Sequence, residues 1–218
     1  TADFLKLLPF KPTGAQLRAV KDCVADMQGK YPMNRLLQGD VGSGKTAVAA
    51  GVIYTAAKNG YQCAFMAPTE ILANQHFETL SKMLEPAGIT VRLITGSTSA
   101  AEKRRIKAEL AAGEVQLAIG THALIQKDVD FKNLGLVITD EQHRFGVNQR
   151  ASLAEKGGEV HSLVMSATPI PRTLALMIYG DLDISVLDEL PPGRQKIRTD
   201  VVDSRYHKRL YEFVKKQI

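Results

Sequence analysis

The chain has 218 residues, 44% hydrophobic and 23% charged, with a net charge of +5. That is enough chain to bury a core without disulfide or metal staples, at about 70% of the unfolded surface, and the composition excludes a disordered or fibrous chain. A basic balance suits a polyanionic partner, although charge alone is weak evidence for one.

Residues 1–12 read as an irregular apolar leader broken by Pro9 and Pro12 and packed on the first helix. Thr13 and Gln16 stand at capping-box spacing and open a helix to about residue 28, with Leu17, Val20, Val24 and Met27 on one stripe. A short buried strand follows at residues 35–38. It runs into Gly39-Asp40-Val41-Gly42-Ser43-Gly44-Lys45-Thr46, which fits G-x-x-x-x-G-K-[ST], and then into a helix from residue 47. In that setting the three glycines let successive N–H groups converge on a phosphate, Lys45 reaches the β- and γ-phosphates of ATP, and the Thr46 hydroxyl holds Mg²⁺. Further strands are expected at residues 63–67, 91–94, 115–119, 135–139 and 162–165, and a last buried strand at 184–187. Helices are expected at 70–84, capped by Thr69, at 100–112, and from Ile170 after two prolines. The alternation implies an α/β fold, a mostly parallel central sheet with helices on both faces, whose ligands sit at the carboxyl ends of the strands.

The strand at 135–139 runs into Asp140 and Glu141. Beside a phosphate loop, Asp140 suits Mg²⁺ and Glu141 suits the base that orients the attacking water; alone, the pair reads as a solvated acidic turn. Ser166 and Thr168 end a later strand, where their hydroxyls either cap a helix or bond the turn containing His143. The amide of Gln16 fits adenine as well as its capping role. His143 is better read as coupling the acidic turn to Ser166 or Thr168 than as a metal ligand. His76 and His122 show no ligand partners at useful spacing, so Mg²⁺ carried with ATP is the only metal expected. The basic run Lys103, Arg104, Arg105 and Lys107 is more often a solvated helix face than a nucleic-acid contact. Cys23 and Cys63 read as buried free thiols. No apolar run is long enough to span a membrane and no signal-peptide pattern opens the chain, so a cytoplasmic location is expected.

Taken together, Gln16, the phosphate loop, Ala67-Pro68-Thr69-Glu70, Gly120-Thr121-His122, Asp140-Glu141-Gln142-His143 and Ser166-Ala167-Thr168 resemble the ordered motifs of superfamily-two helicases. The stretches Arg144-Phe145-Gly146-Val147-Asn148-Gln149-Arg150, Pro169-Ile170-Pro171-Arg172 and Asp188-Glu189-Leu190-Pro191-Pro192-Gly193-Arg194 narrow this to the RecG family of DNA helicases. His143 tips the choice from the related transcription-repair coupling translocases of the Mfd type, where a DEEQ-type acidic motif is expected. The resemblance implies a RecA-like P-loop motor domain over residues 1–190, and a linker with the start of a second motor domain over 191–218. It implies an ATP-dependent motor acting on branched DNA in repair and recombination. Its partners would be a wedge domain and a second motor domain of one longer chain, of which this sequence reads as a cut piece, so that it is expected to bind nucleotide and turn it over poorly. Pro68, Thr69, Gly96, Thr121 and His122 would contact DNA phosphates. A phosphate-loop kinase lacks a segment here for its substrate pocket and lid. A module using nucleotide only as structure would not be expected to keep both Asp140 and Glu141.

Overall fold

The computed structural model describes residues 4, 6, 8, 10–126, 128–140, 160–167, 182–189 and 203–217. Its elements are α1 (Gly14–Met27), β1 (Asn34–Gly39), α2 (Lys45–Lys58), β2 (Gln62–Met66), α3 (Glu70–Leu84), β3 (Val91–Ile94), α4 (Ala100–Ala112), β4 (Leu117–Gly120), β5 (Leu134–Asp140), β6 (His161–Ser166), β7 (Asp183–Leu187) and α5 (His207–Gln217). The expected helix over residues 170–179 and the segment at 191–202 lie outside the described residues.

Among the described residues, seven strands form one sheet in the order β3-β4-β2-β5-β6-β1-β7, and every pairing is parallel. β2, β4 and β5 are buried along their whole length, which is why their sequences are continuous apolar runs rather than alternating ones. Alternate side chains face opposite sides of the sheet. Leu37, Cys63, Phe65, Ile119, Ile138 and Met165 pack on one face with residues from α1, α2 and α3. Ala64, Met66, Ala118 and Val137 face the other way, towards Ile106 and Leu110 of α4.

Two expectations need correction. β7 is an edge strand: its burial alternates and Val186 is 52% exposed. An apolar run of five residues does not reveal which neighbours flank it. The inward face of α1 is also rotated from the stripe of Leu17, Val20, Val24 and Met27. Ala15, Ala19, Val20 and Cys23 are fully buried, while Val24 and Met27 lie at the margin of the core. Small residues allow the helix to approach α2 closely. At Gly51 of α2 a Cβ would come within 3.0 Å of Phe4 and 3.2 Å of Val20. Phe4, the buried part of the leader, also meets the Tyr54 ring at 5.6 Å.

Both cysteines are buried and free. Burial pushes the Cys23 thiol up to about 12 and raises that of Cys63 as well, so neither is a nucleophile.

Polar groups fix the amino-terminal end of the sheet. The Arg35 guanidinium donates to Asp26 at 2.6 Å and to Ser185 Oγ at 2.9 Å, and Ser185 Oγ donates to Asp22 at 2.8 Å. α1, β1 and β7 are thereby tied together. Nearby, the backbone N–H of Met33 donates to His161 Nδ1 at 2.9 Å. That bond requires an unprotonated Nδ1. Partial burial lowers the His161 pKa below its usual 6.5, against a smaller opposing effect of Asp26. A depressed histidine binds more protons in the unfolded chain, so its contribution is complete above about 6.5 and declines as pH falls through the folded value. The urea midpoint is expected to drop as pH is lowered below about 6.5, and His161→Gln, which keeps an acceptor but gains no proton, is expected to flatten that part of the slope. A parallel pH profile in the variant would refute this assignment.

Candidate nucleotide site and its carboxylate

β1 ends at Gly39, and the chain turns through residues 40–44 before α2 begins at Lys45. The turn is possible because Gly42 and Gly44 adopt φ of 79° and 86°, conformations that other residues rarely reach. Space is equally limiting. A Cβ on Gly44 would collide with Gln16 Nε2, and one on Gly39 would come within 2.6 Å of Ser43 Oγ and 2.9 Å of Leu187 Cβ. Gly44 is the N-cap of α2 and no side chain among the described residues caps this end, so the first amides of the helix are left for an anion. Lys45 folds back over the loop, with Nζ donating to the carbonyls of Gly39 at 2.6 Å and Asp40 at 3.0 Å. Asp40 is exposed, Thr46 half-buried and Ser43 buried, with its Oγ unpartnered among the described residues.

Gln16 braces the loop from α1. Its Nε2 donates to the Ser43 carbonyl at 2.8 Å, while its Oε1 accepts from the Thr13 N–H at 3.0 Å and its own N–H reaches Thr13 Oγ1 at 3.2 Å. The capping box read from the sequence is therefore complete, and the same amide supports the phosphate loop.

Asp140 is the last residue of β5. β6 lies between β5 and β1, with Asp140 in register with Met165 and Gln38 in register with Ser166. The loop, Asp140 and the buried Ser166 thus share one edge of the sheet. Glu141, His143 and Thr168 lie outside the described residues.

The structure gives His76 a partner that the sequence reading did not foresee. His76 Nε2 lies 2.8 Å from Asp140 Oδ2, and its ring centroid is 4.5 Å from that of Phe65. Sixty-four positions separate the pair. The available signal was local: His76 interrupts the inward stripe formed by Ala73 and Leu80 of α3, and a polar residue in such a stripe needs a partner. Among the described residues, however, no group of three or more metal-ligating side chains gathers.

The residues present fit a magnesium nucleotide. A glycine cradle too narrow for side chains, uncapped helix amides, an ammonium at the loop mouth and a mostly buried carboxylate two strands away make the donor set for a phosphate chain and a hard cation. By contrast, a cleft of about 190 Å³ lined by Val24, Met27, Thr55, Tyr61, Gly135 and His161 lies at the opposite end of the sheet and offers no phosphate cradle.

A second row of loops occupies the same edge. Thr69 follows β2 and caps α3, its hydroxyl accepting from the Leu72 N–H at 3.3 Å. Glu70 accepts from the Ser97 hydroxyl at 2.8 Å and its N–H at 3.2 Å, and Lys103 Nζ donates to the Gly96 carbonyl at 2.8 Å. Thr121 and the exposed His122 follow β4. Because β3, β4 and β2 are neighbours, these loops lie side by side. Most of the basic run is engaged internally: Arg105 with Glu102 and Glu109, Lys107 with Asp128, and Lys103 with Gly96.

The sequence profile of the DEAD/DEAH box helicases matches residues 13–177, three quarters of the chain and all the loops above. The chain belongs to the DEAD/DEAH box helicase family. Within this helicase family it is 52% identical over 99% of its length to the ATP-dependent DNA helicase RecG of Synechocystis sp., and 54% identical over 99% to that of Thermotoga maritima. It spans 26% and 28% of those relatives' lengths. A solved structure of RecG bound to a three-way DNA junction superposes with a TM-score of 0.88 at 51% identity, over 99% of this chain and 29% of that one. The expected resemblance to RecG and the RecA-like helicase fold are both borne out, and these relatives favour it over the transcription-coupled alternative. Among the described residues, no helix is long and apolar enough to cross a membrane.

Proposed function

We propose that this chain is the ATP-binding motor domain of a DNA helicase that remodels branched DNA in repair and recombination. The observation that carries the reading is the shared carboxyl edge of one parallel sheet. The phosphate loop and Asp140 stand at β1 and β5, and the loops bearing Pro68, Thr69, Gly96, Thr121 and His122 stand at β2, β3 and β4.

In this reading the α2 amides and Lys45 hold the β- and γ-phosphates of ATP, and Gln16 borders the adenine side. Thr46 and Asp140 hold Mg²⁺, which when bound neutralises charge building on the phosphates. Glu141 orients the attacking water. His143, Ser166 and Thr168 connect that turn to the strand beside it. On the other half of the edge, the α3 N-terminus and the loops at Gly96 and Thr121 contact DNA phosphates. Such contacts position a duplex without reading its sequence, which suits a motor that must travel along any DNA. A second motor domain would supply the arginine that such reactions use, a contribution of roughly 10³–10⁵ in rate, and a wedge domain would hold the branch. The 218 residues alone would then bind nucleotide and turn it over slowly.

The test is ATP turnover by the full-length protein with no DNA, with linear duplex and with a three-way junction. Stimulation by the junction above linear duplex is expected. Turnover indifferent to all DNA would remove the motor reading, and equal response to linear duplex would remove the preference for branches.

A further inference from the structure

His76 has no part in the functional reading above, yet among the described residues it is the side chain that meets the carboxylate of Asp140. It is set up for that contact from two sides. α3 presents it inward between Ala73 and Leu80, both fully buried, and the Phe65 ring of β2 packs against the imidazole at 4.5 Å. Both side chains of the pair are only 12% exposed. An apolar residue would satisfy that stripe at lower cost, because a buried polar group must be hydrogen-bonded to be tolerated. Since an ionised carboxylate only accepts, the ring carries its proton on Nε2 and donates to Oδ2.

We propose that His76 is a positioning residue for Asp140. It fixes one carboxylate oxygen and the side-chain rotamer, leaving the second oxygen for the water shell of a nucleotide-bound Mg²⁺. This rests on the assignment of Asp140 to Mg²⁺. A hydrogen-bonded neighbour that orients a metal-binding carboxylate acts mainly through metal affinity, and its loss typically costs about 10–100-fold.

Two substitutions separate the hydrogen bond from the packing. His76→Phe keeps an aromatic ring on Phe65 and removes the donor, whereas His76→Gln keeps an N–H donor. Binding of a fluorescent ATP analogue by the full-length protein is followed as Mg²⁺ is titrated, alongside binding without Mg²⁺ and thermal melting to verify folding. His76→Phe is expected to raise the Mg²⁺ midpoint about tenfold or more, with metal-free binding unchanged. His76→Gln is expected to stay near the unaltered protein, and Lys45→Ala to lose binding in every condition. A Phe variant that titrates normally overturns the proposal, as does a Gln variant as impaired as Phe, or an equal loss of metal-free binding. If the unaltered protein shows no Mg²⁺-dependent binding, the nucleotide reading itself fails and His76 with it.

Discussion

Lys45→Ala is expected to lower ATP turnover by about 10²-fold or more, the scale of removing one preorganised charge from a phosphoryl-transfer site. Lys45 begins α2, and its ammonium lies across the mouth of the loop on the carbonyls of Gly39 and Asp40. Those carbonyls fix the cation where phosphate charge would gather, so little reorganisation is needed when nucleotide enters. The residue is half-buried at the surface of the loop, and the glycine conformations and the Gln16 brace do not depend on it. The fold should therefore survive, with an unchanged melting curve beside the lost phosphate release. Turnover preserved in the variant would mean that the loop is not the site of chemistry.

The second large effect concerns stability. Arg35→Ala is expected to destabilise the fold by about 3 kcal/mol, because removing one partner of a buried pair strands the other. Arg35 is 10% exposed, and its loss leaves Asp26 without its closest cation and Ser185 without a donor. The more exposed Asp22 and Asp183 are 4.0 and 3.9 Å away and add little. Burial disfavours the charged guanidinium most strongly of any single effect, but the hydrogen bond to Asp26 and the attraction of Asp26 and other neighbouring groups together outweigh it and raise its pKa, so the residue is a permanent cation. For a chain of this size the melting temperature should fall by roughly 10 °C. A change within a degree or two would show that water replaces the network without loss.

Where information was local, the sequence was a good guide. The Thr13 and Gln16 pair located a complete capping box, and Thr69 marked the start of α3. β3 and α4 have the expected limits because short apolar and helical runs are bounded by turn residues. The glycine pattern at Gly39, Gly42 and Gly44 was legible because the backbone geometry leaves no other choice. What was hidden depends on residues far apart in the chain. His76 finds Asp140 across 64 positions, and Arg35 finds Ser185 across 150. The internal pairing of Arg105 and Lys107 depends on carboxylates whose approach the helix register and the fold decide. Likewise, nothing in Ile184-Ser185-Val186-Leu187 distinguishes an edge strand from a central one.

The position of β1 has a consequence for how the protein is made. Its only sheet partners among the described residues are β6 and β7, which leave the ribosome more than a hundred residues later. A nascent chain ending at residue 140 already has the contiguous set β3-β4-β2-β5, but the strand that carries the phosphate loop still has both edges unpaired. The motif synthesised early is thus anchored late. Until residue 166 has emerged, β1 has neither of its sheet neighbours, the condition of an apolar strand that aggregates or recruits chaperones.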